Sequence, residues 1–343
     1  MSTVAEQAGG SLPTANSDVL EVRDLVKHFP ITRGLLRRTV GHVRAVDGVS
    51  FRIGAGETVG LVGESGSGKS TVARLVLRLL DRTSGSIRFE GRELTGLRSR
   101  EMMPLRRRMQ IIFQDPVSSF DPRMTILAVI SEPLEAHGMT DRRVNRRRAA
   151  ELLELVGLSA GDLDKYPHQF SGGQAQRIGI ARALATDPRL LVCDEAVSAL
   201  DVSVQAQVLN LLRSLQRELG LSYLFIAHDL NVVRYISDRI CVMYLGQVVE
   251  QGPADALLAD PRHPYTQTLA AAIASADPAV ARAGGRHVVR GEIPSPSAPP
   301  PGCRFHTRCP SAFDLCRTTA PESVAAGPDR LASCHLLTGA DRG

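Results

Sequence analysis

The stretch Gly63-Glu-Ser-Gly-Ser-Gly68-Lys69-Ser70 has the residue types and the spacing to hold a chain of phosphates. It fits GxxxxGK[ST], follows the apolar run TVGLV at 58–62 and opens the helical pattern TVARLVLRLL, the context in which this pattern forms a phosphate-binding loop. Glycines let successive backbone N–H groups turn inward on the phosphates, and the start of a helix adds favourable partial charge. Gly63, Glu64, Ser65, Gly66, Ser67, Gly68, Lys69, Ser70 and Thr71 are therefore the candidate nucleotide-binding residues. Lys69 is placed to reach the terminal phosphates and the Ser70 hydroxyl to ligate magnesium.

Such a loop needs carboxylates opposite it. The run LLVCD at 190–194 ends in Asp194 and is followed by Glu195. An apolar strand that delivers two acids at its carboxyl end puts the first beside the phosphate loop and the second in the adjoining space. Asp194 is the candidate holder of the hydrated metal, and Glu195 the candidate base or water positioner for attack on a γ-phosphate.

The elements that position these groups read as follows. Residues 19–29 and 43–53 alternate as strands with a basic loop between them, 58–62 is a buried strand, and the helix after the glycine loop ends near Asp81. SGSIRFEGREL reads as a hairpin region, and QIIFQDP ends a buried strand at a proline. From about 120 to 187 the periodicity is helical; buried parallel-type strands return at 190–194 and 223–227 around a helix, and ICVMYLGQVVEQG closes the domain as a strand pair. Beyond about 262 come an alanine-rich helix, a proline-rich connector at 294–301 and a cluster of cysteines. Residues 1–18 read as a flexible, polar N-terminus with neither a signal nor a transit peptide.

Length and composition agree with one large α/β domain plus an appendage. The chain has 343 residues, 43% of them hydrophobic, no Trp and no run approaching a membrane span, so service at a membrane would require docking onto subunits that cross it. Net charge is +5; the arginines at 106–108 and 142–148 are interleaved with helix formers rather than aromatics, which reads as a solvated helix face or a lipid or partner contact, and not as a nucleic-acid site.

Ser171-Gly172-Gly173-Gln174, just before a helix, makes the chain resemble the ATP-binding-cassette family, where this pattern is the signature motif. The resemblance implies a P-loop NTPase cassette of α/β class, with a mixed sheet core and a helical signature subdomain, spanning 19–262 and followed by a small C-terminal extension at 263–343. About a hundred residues and a helical insert separate the signature from the phosphate loop. The family joins the two anion sites in head-to-tail dimers, the signature of one subunit covering the nucleotide of the other. By the same resemblance Gln114 is the Q-loop glutamine, a further magnesium contact, Asp201 closes the D-loop SALD, His228 is the switch histidine and Phe29 is the candidate adenine-stacking aromatic. Ala196 stands where the family usually has proline.

Further segments, among them HPYTQTL, GEIPSPSAPPPGC and CRFHTRCP, resemble the ATPase subunits of oligopeptide and dipeptide importers, the second of the paired ATPases in particular. That implies ATP and Mg2+ as cofactors, a second ATPase subunit, two transmembrane permeases, an extracytoplasmic peptide-binding protein and a place on the cytoplasmic face of a bacterial inner membrane. Nickel importers use related ATPases. Soluble cassette ATPases usually carry two cassettes or a long coiled-coil insert, and neither is present here. Cys303, Cys309, Cys316 and Cys334 suit a 4Fe-4S cluster, which occurs in this subgroup, or a structural zinc, with reduced unligated thiols as the alternative. A segment this rich in proline and alanine has little apolar surface to organise itself, so metal–sulfur bonds would stand in for a core.

Overall fold

A computed structural model of the chain describes residues 18–34, 38–115, 118–274 and 291–339; most of the N-terminal stretch read as flexible lies outside them. Among the described residues the core sheet has eight strands, in the order β11 (Ser323–Gly327), β12 (Arg330–Ser333), β10 (Gln247–Pro253), β9 (Arg239–Tyr244), β3 (Thr58–Val62), β8 (Ser222–Ala227), β7 (Leu190–Asp194) and β6 (Met109–Ile112). At its centre are β3 (Thr58–Val62), β7 (Leu190–Asp194) and β8 (Ser222–Ala227), runs that are apolar with hardly a break. A strand covered on both faces needs such a run, and all three are buried almost end to end and pair in parallel. Parallel pairing extends to β6 (Met109–Ile112) on one side and β9 (Arg239–Tyr244) on the other.

Side chains alternate across this sheet. Leu190 and Val192 face one core, shared with Leu224, Ile226 and the helix α1 (Lys69–Val76); Leu191 and Cys193 face the other, shared with Tyr223, Phe225 and the helices beyond. The first core is capped by an antiparallel sheet of β2 (Arg38–Ile53), β1 (Leu20–Arg33), β4 (Ser84–Phe89) and β5 (Arg92–Glu93). Its β2 strand presses on the phosphate loop. After the helix α2 (Ser99–Arg108) and β6, the chain forms α3 (Ile126–Ala136), α4 (Arg142–Leu155) and α5 (Gly172–Leu184), within the span read as helical. Asp141 caps α4 by accepting from the Arg143 and Val144 N–H groups at 2.9 and 3.2 Å. The α4 arginines pair across the surface, Arg146 with Asp164 at 2.7 Å and Arg148 with Asp187, as a solvated helix face does.

Three expectations change. The basic segment 31–42 is not simply a loop, because β1 and β2 continue their ladder through Ile31↔Gly41, Thr32↔Thr39 and Arg33↔Arg38. β-branched Ile31, Thr32, Thr39 and Val40 favour extended backbone even where the arms stand exposed. Helix α1 stops at Val76 rather than near Asp81: Arg78 turns left-handed at φ 53° and the Leu79 and Leu80 N–H groups fold back onto the Arg74 carbonyl.

The third change concerns the extension, which does not depend on metal for all of its order. Its strands β11 (Ser323–Gly327) and β12 (Arg330–Ser333) join the core sheet beside β10 (Gln247–Pro253), with Glu250 opposite Ala332 and Gln251 opposite Leu331. Phe305 packs edge-on to Tyr244 and also against Tyr265, with ring centroids 5.2 and 5.3 Å away. Arg330 donates to Glu250 at 2.9 Å and to the Asp260 carbonyl at 2.6 Å, while Glu250 also accepts from the Arg262 and His263 N–H groups. Both partners of this ion pair are buried, so removing one strands the other's charge. Arg330→Ala is expected to destabilise the protein by about 3–5 kcal/mol, read from urea unfolding of the purified chain. A loss under about 1 kcal/mol, the scale of an exposed pair, would mean that strand pairing and the aromatic cluster hold the extension without it.

Candidate functional site

Three strand ends build the site. β3 feeds the phosphate loop, β7 ends in Asp194, β8 leads to His228, and because Val62 pairs with Ala227 and Asp194 with Ile226, all three deliver their residues to one carboxyl edge. The loop is shaped from outside. A Cβ at Gly63 would meet the Met243 carbonyl at 2.1 Å, and one at Gly68, where φ is +106°, would meet the Ala45 carbonyl at 2.1 Å. No other residue type fits either place. Lys69 is buried and donates to the carbonyls of Gly63 at 2.8 Å and Glu64 at 3.1 Å. Burial lowers its pKa, against the pull of Glu195, Asp194 and Glu64. A desolvated ammonium held by two loop carbonyls and, at 3.5 Å, the Ser67 hydroxyl is ready to exchange these neutral acceptors for phosphate oxygens.

Opposite, the Ser70 hydroxyl donates to Asp194 Oδ1 at 2.8 Å. Burial pushes the Asp194 carboxyl up, the Ser70 hydrogen bond offsets part of that, and the neighbouring Glu195 raises it again. Two hard oxygen donors in contact, one of them a half-buried carboxylate, are a donor set that fits magnesium. Glu195 sits at φ 51°, a left-handed conformation that a non-glycine residue adopts at a cost of about 1–3 kcal/mol. The turn is fixed by its N–H to the Ile226 carbonyl at 3.0 Å and by Ser198, whose N–H and Oγ both donate to the Glu195 carbonyl. Those bonds hold the turn although Ala196 replaces proline. His228 Nδ1 lies 3.8 Å from Glu195 Oε2, with the imidazole more than half exposed.

The remaining sequence-predicted residues lie outside the recess. Lys69, Ser70, Thr71 and Glu195 line a recess of about 230 Å³ together with Val43 and Pro296. Phe29 is not in that lining; it stands on β1 directly opposite Val43, with Lys27 Nζ 4.9 Å from its ring centroid. Gln114 is exposed just past β6. Ser171 caps α5, accepting from the Gln174 N–H at 3.4 Å while Gln174 Oε1 accepts from the Ser171 N–H at 3.0 Å. Gly173 lets α5 press against the helix α6 (Val202–Leu219), since a Cβ there would meet Val204 Cγ1 at 2.4 Å. Asp201 caps α6 by accepting from the Val204 N–H at 3.0 Å. Ser171, Gly172 and Asp201 are exposed, and none lines the recess of its own chain.

Sequence reasoning missed the contribution of the extension. Pro296 reaches the recess because its carbonyl accepts from the Arg44 N–H at 2.9 Å, and Arg304 bonds Asp47 and the Leu245 carbonyl. Composition gave no signal for contacts this distant in the chain. The thiols of Cys303, Cys309, Cys316 and Cys334 come close enough to influence one another electrostatically, and burial pushes Cys303 up to about 11 and raises Cys309 and Cys334. Among the described residues no group of three or more His, Cys, Asp or Glu is arranged to hold a metal ion. The all-sulfur donor set suits iron–sulfur or zinc chemistry, but the thiols do not form a ready single-ion site.

Comparison with known proteins bears on both parts of the chain. A family model described as ABC transporter matches residues 46–198, and one described as oligopeptide/dipeptide transporter, C-terminal region, matches 249–316. The chain is 52% identical over 318 residues to the probable peptide ABC transporter ATP-binding protein y4tS of Sinorhizobium fredii, covering 93% of this chain and 90% of that one. It is 49% identical over 333 residues to the oligopeptide transport ATP-binding protein AppF of Bacillus subtilis, covering 95% and 100%. Among solved structures, the ATP-binding cassette MJ0796, in a dimeric post-hydrolysis state bound to ADP and Pi, aligns with a TM-score of 0.61 at 29% identity, covering 68% of this chain and 98% of that one. The structure of cbiO1 from Clostridium perfringens, part of the ABC transporter complex cbiONQ, aligns at 0.61 and 28%, covering 71% and 92%.

Proposed function

This chain belongs to the ABC transporter family and is an ATPase; we propose that it forms one half of a nucleotide-sandwiching dimer that drives peptide import through separate permeases. The observation that carries the catalytic reading is the contact of Ser70 with Asp194 at 2.8 Å beside Lys69, with Glu195 and His228 on the adjoining strand ends. Magnesium, when bound, would neutralise charge on the terminal phosphates; Ser70 and Asp194 would hold it, with Gln114 as a further contact. Lys69 leaves the Gly63 and Glu64 carbonyls for the phosphates. Glu195 orients the attacking water and accepts its proton, and His228 reaches toward the γ-phosphate from the same side.

The dimer reading rests on the signature. Ser171 and the α5 N-terminus form an exposed anion-binding surface outside the recess of their own chain, which suits covering the nucleotide of a second ATPase subunit. The dimeric MJ0796 structure supports this arrangement by analogy. Both curated relatives are named for peptide or oligopeptide transport, which favours peptides over nickel as cargo, and with them two permeases and an extracytoplasmic peptide-binding protein as partners. No helix of the described residues is long and apolar enough to cross a membrane, so association would be peripheral, at the cytoplasmic face of the inner membrane.

The four C-terminal thiols are proposed as ligands of a 4Fe-4S cluster, with zinc as the alternative; an all-sulfur donor set whose members influence one another electrostatically supports this reading. Iron and acid-labile sulfide at about four atoms each per chain after anaerobic purification are the expected result; one equivalent of zinc, or no metal, would refute it. Glu195→Gln is expected to lower ATP hydrolysis by the assembled transporter by at least about 100-fold while the chain still binds ATP. Turnover equal to that of the parent would remove Glu195 from its role.

A further inference from the structure

Arg308 lies in the C-terminal extension, 244 positions from the phosphate loop in sequence, yet its guanidinium grips that loop. Nη1 donates to Glu64 Oε2 at 2.7 Å and Nη2 to Oε1 at 3.1 Å, a two-point fork on the carboxylate of the loop's second residue. Its side chain is only 7% exposed and lies over the Tyr244 ring, whose hydroxyl also accepts from Nη1 at 3.4 Å. The Glu64 backbone is held as well. Its N–H donates to the Tyr265 hydroxyl at 2.9 Å and its carbonyl accepts from Lys69 Nζ at 3.1 Å. The same residue therefore connects the extension to the lysine that must meet the phosphates.

A carboxylate in a loop built to receive a polyphosphate works against binding unless its charge is countered and its side chain is turned away. We infer that Arg308 is a positioning residue for nucleotide binding, neutralising Glu64 and fixing it outward so that the loop and Lys69 present only attractive groups to the phosphates of ATP. This rests on the ATPase reading above. It also gives the extension a task inside the ATP site, in that it supplies the counter-charge the loop lacks.

The test is binding of a fluorescent ATP analogue to the purified full-length chain, parent and variants, with Lys69→Ala alongside. Arg308→Ala is expected to weaken binding about tenfold, within the range of coupling between linked sites, and Glu64→Gln added to it to restore affinity to within about twofold of the parent, because no carboxylate is then left to repel the phosphates. A purely structural role for Arg308 predicts no such rescue. Unchanged affinity in Arg308→Ala, or a loss that Glu64→Gln does not relieve, overturns the inference alone. Should Arg308→Ala fail to fold, Arg308→Lys keeps the charge without the fork and is expected to bind about threefold more weakly, with the same relief by Glu64→Gln; no change there also overturns it. A parent chain that binds no nucleotide, or Lys69→Ala binding as well as the parent, would overturn the ATPase reading and the inference with it.

Discussion

The close approach of the β2 and β9 backbones to Gly68 and Gly63 governs the site, because a Cβ at either glycine would meet a carbonyl at 2.1 Å. A glycine-rich loop loses more conformational entropy on ordering than any other chain of its length, so neighbours must supply its order. Here they come from four directions. The Ala45 carbonyl presses from β2, the Met243 carbonyl from β9, the Gly246 N–H donates to the Ser67 carbonyl at 2.9 Å, and Arg308 and Tyr265 hold Glu64. The outer sheet and the extension thus shape the glycine-rich loop and its recess and are not covers laid over a finished core.

The parallel order of the central strands does the rest. Because β7 and β3 both pair with β8, Asp194 and the loop lie on either side of the strand that carries His228, and Ser70 can reach Asp194. The left-handed Glu195 then departs from the line of β7 toward His228. On the helical side, Gly173 brings the signature end of α5 against α6, so Ser171 and Asp201 occupy neighbouring exposed helix starts. One chain thus carries the glycine-rich loop and, apart from it, an exposed helix start at Ser171.

Most of the candidate site was legible because its residue patterns are local. GESGSGKS after an apolar strand, Asp194-Glu195 at the end of LLVCD and Ser171 before a helix are each defined by a few adjacent residues. The buried strands were legible from continuous hydrophobicity. What could not be read is what depends on tertiary contact: SVAAG and RLAS are too short and too weakly apolar to announce strands, yet pairing with β10 makes them β11 and β12. Arg304 and Arg308 look like ordinary basic residues until Asp47 and Glu64 are brought to them. Phe29 and Val43 illustrate the same limit, since residue type favoured the aromatic for the base while the pairing of β1 with β2 puts Val43 in the lining.

The proposed dimer rests on a division of labour in which Lys69 and its loop would bind the chain's own nucleotide and Ser171 would complete the site of the other subunit. The most direct measurement compares Ser171→Arg with the parent in two assays, nucleotide binding by the isolated chain and ATP hydrolysis by the assembled transporter. The account predicts unchanged binding with hydrolysis lowered at least about 100-fold, the scale expected when a donor to the reacting phosphates is lost. Binding lost as severely as in Lys69→Ala, or hydrolysis at the parent rate, would contradict it.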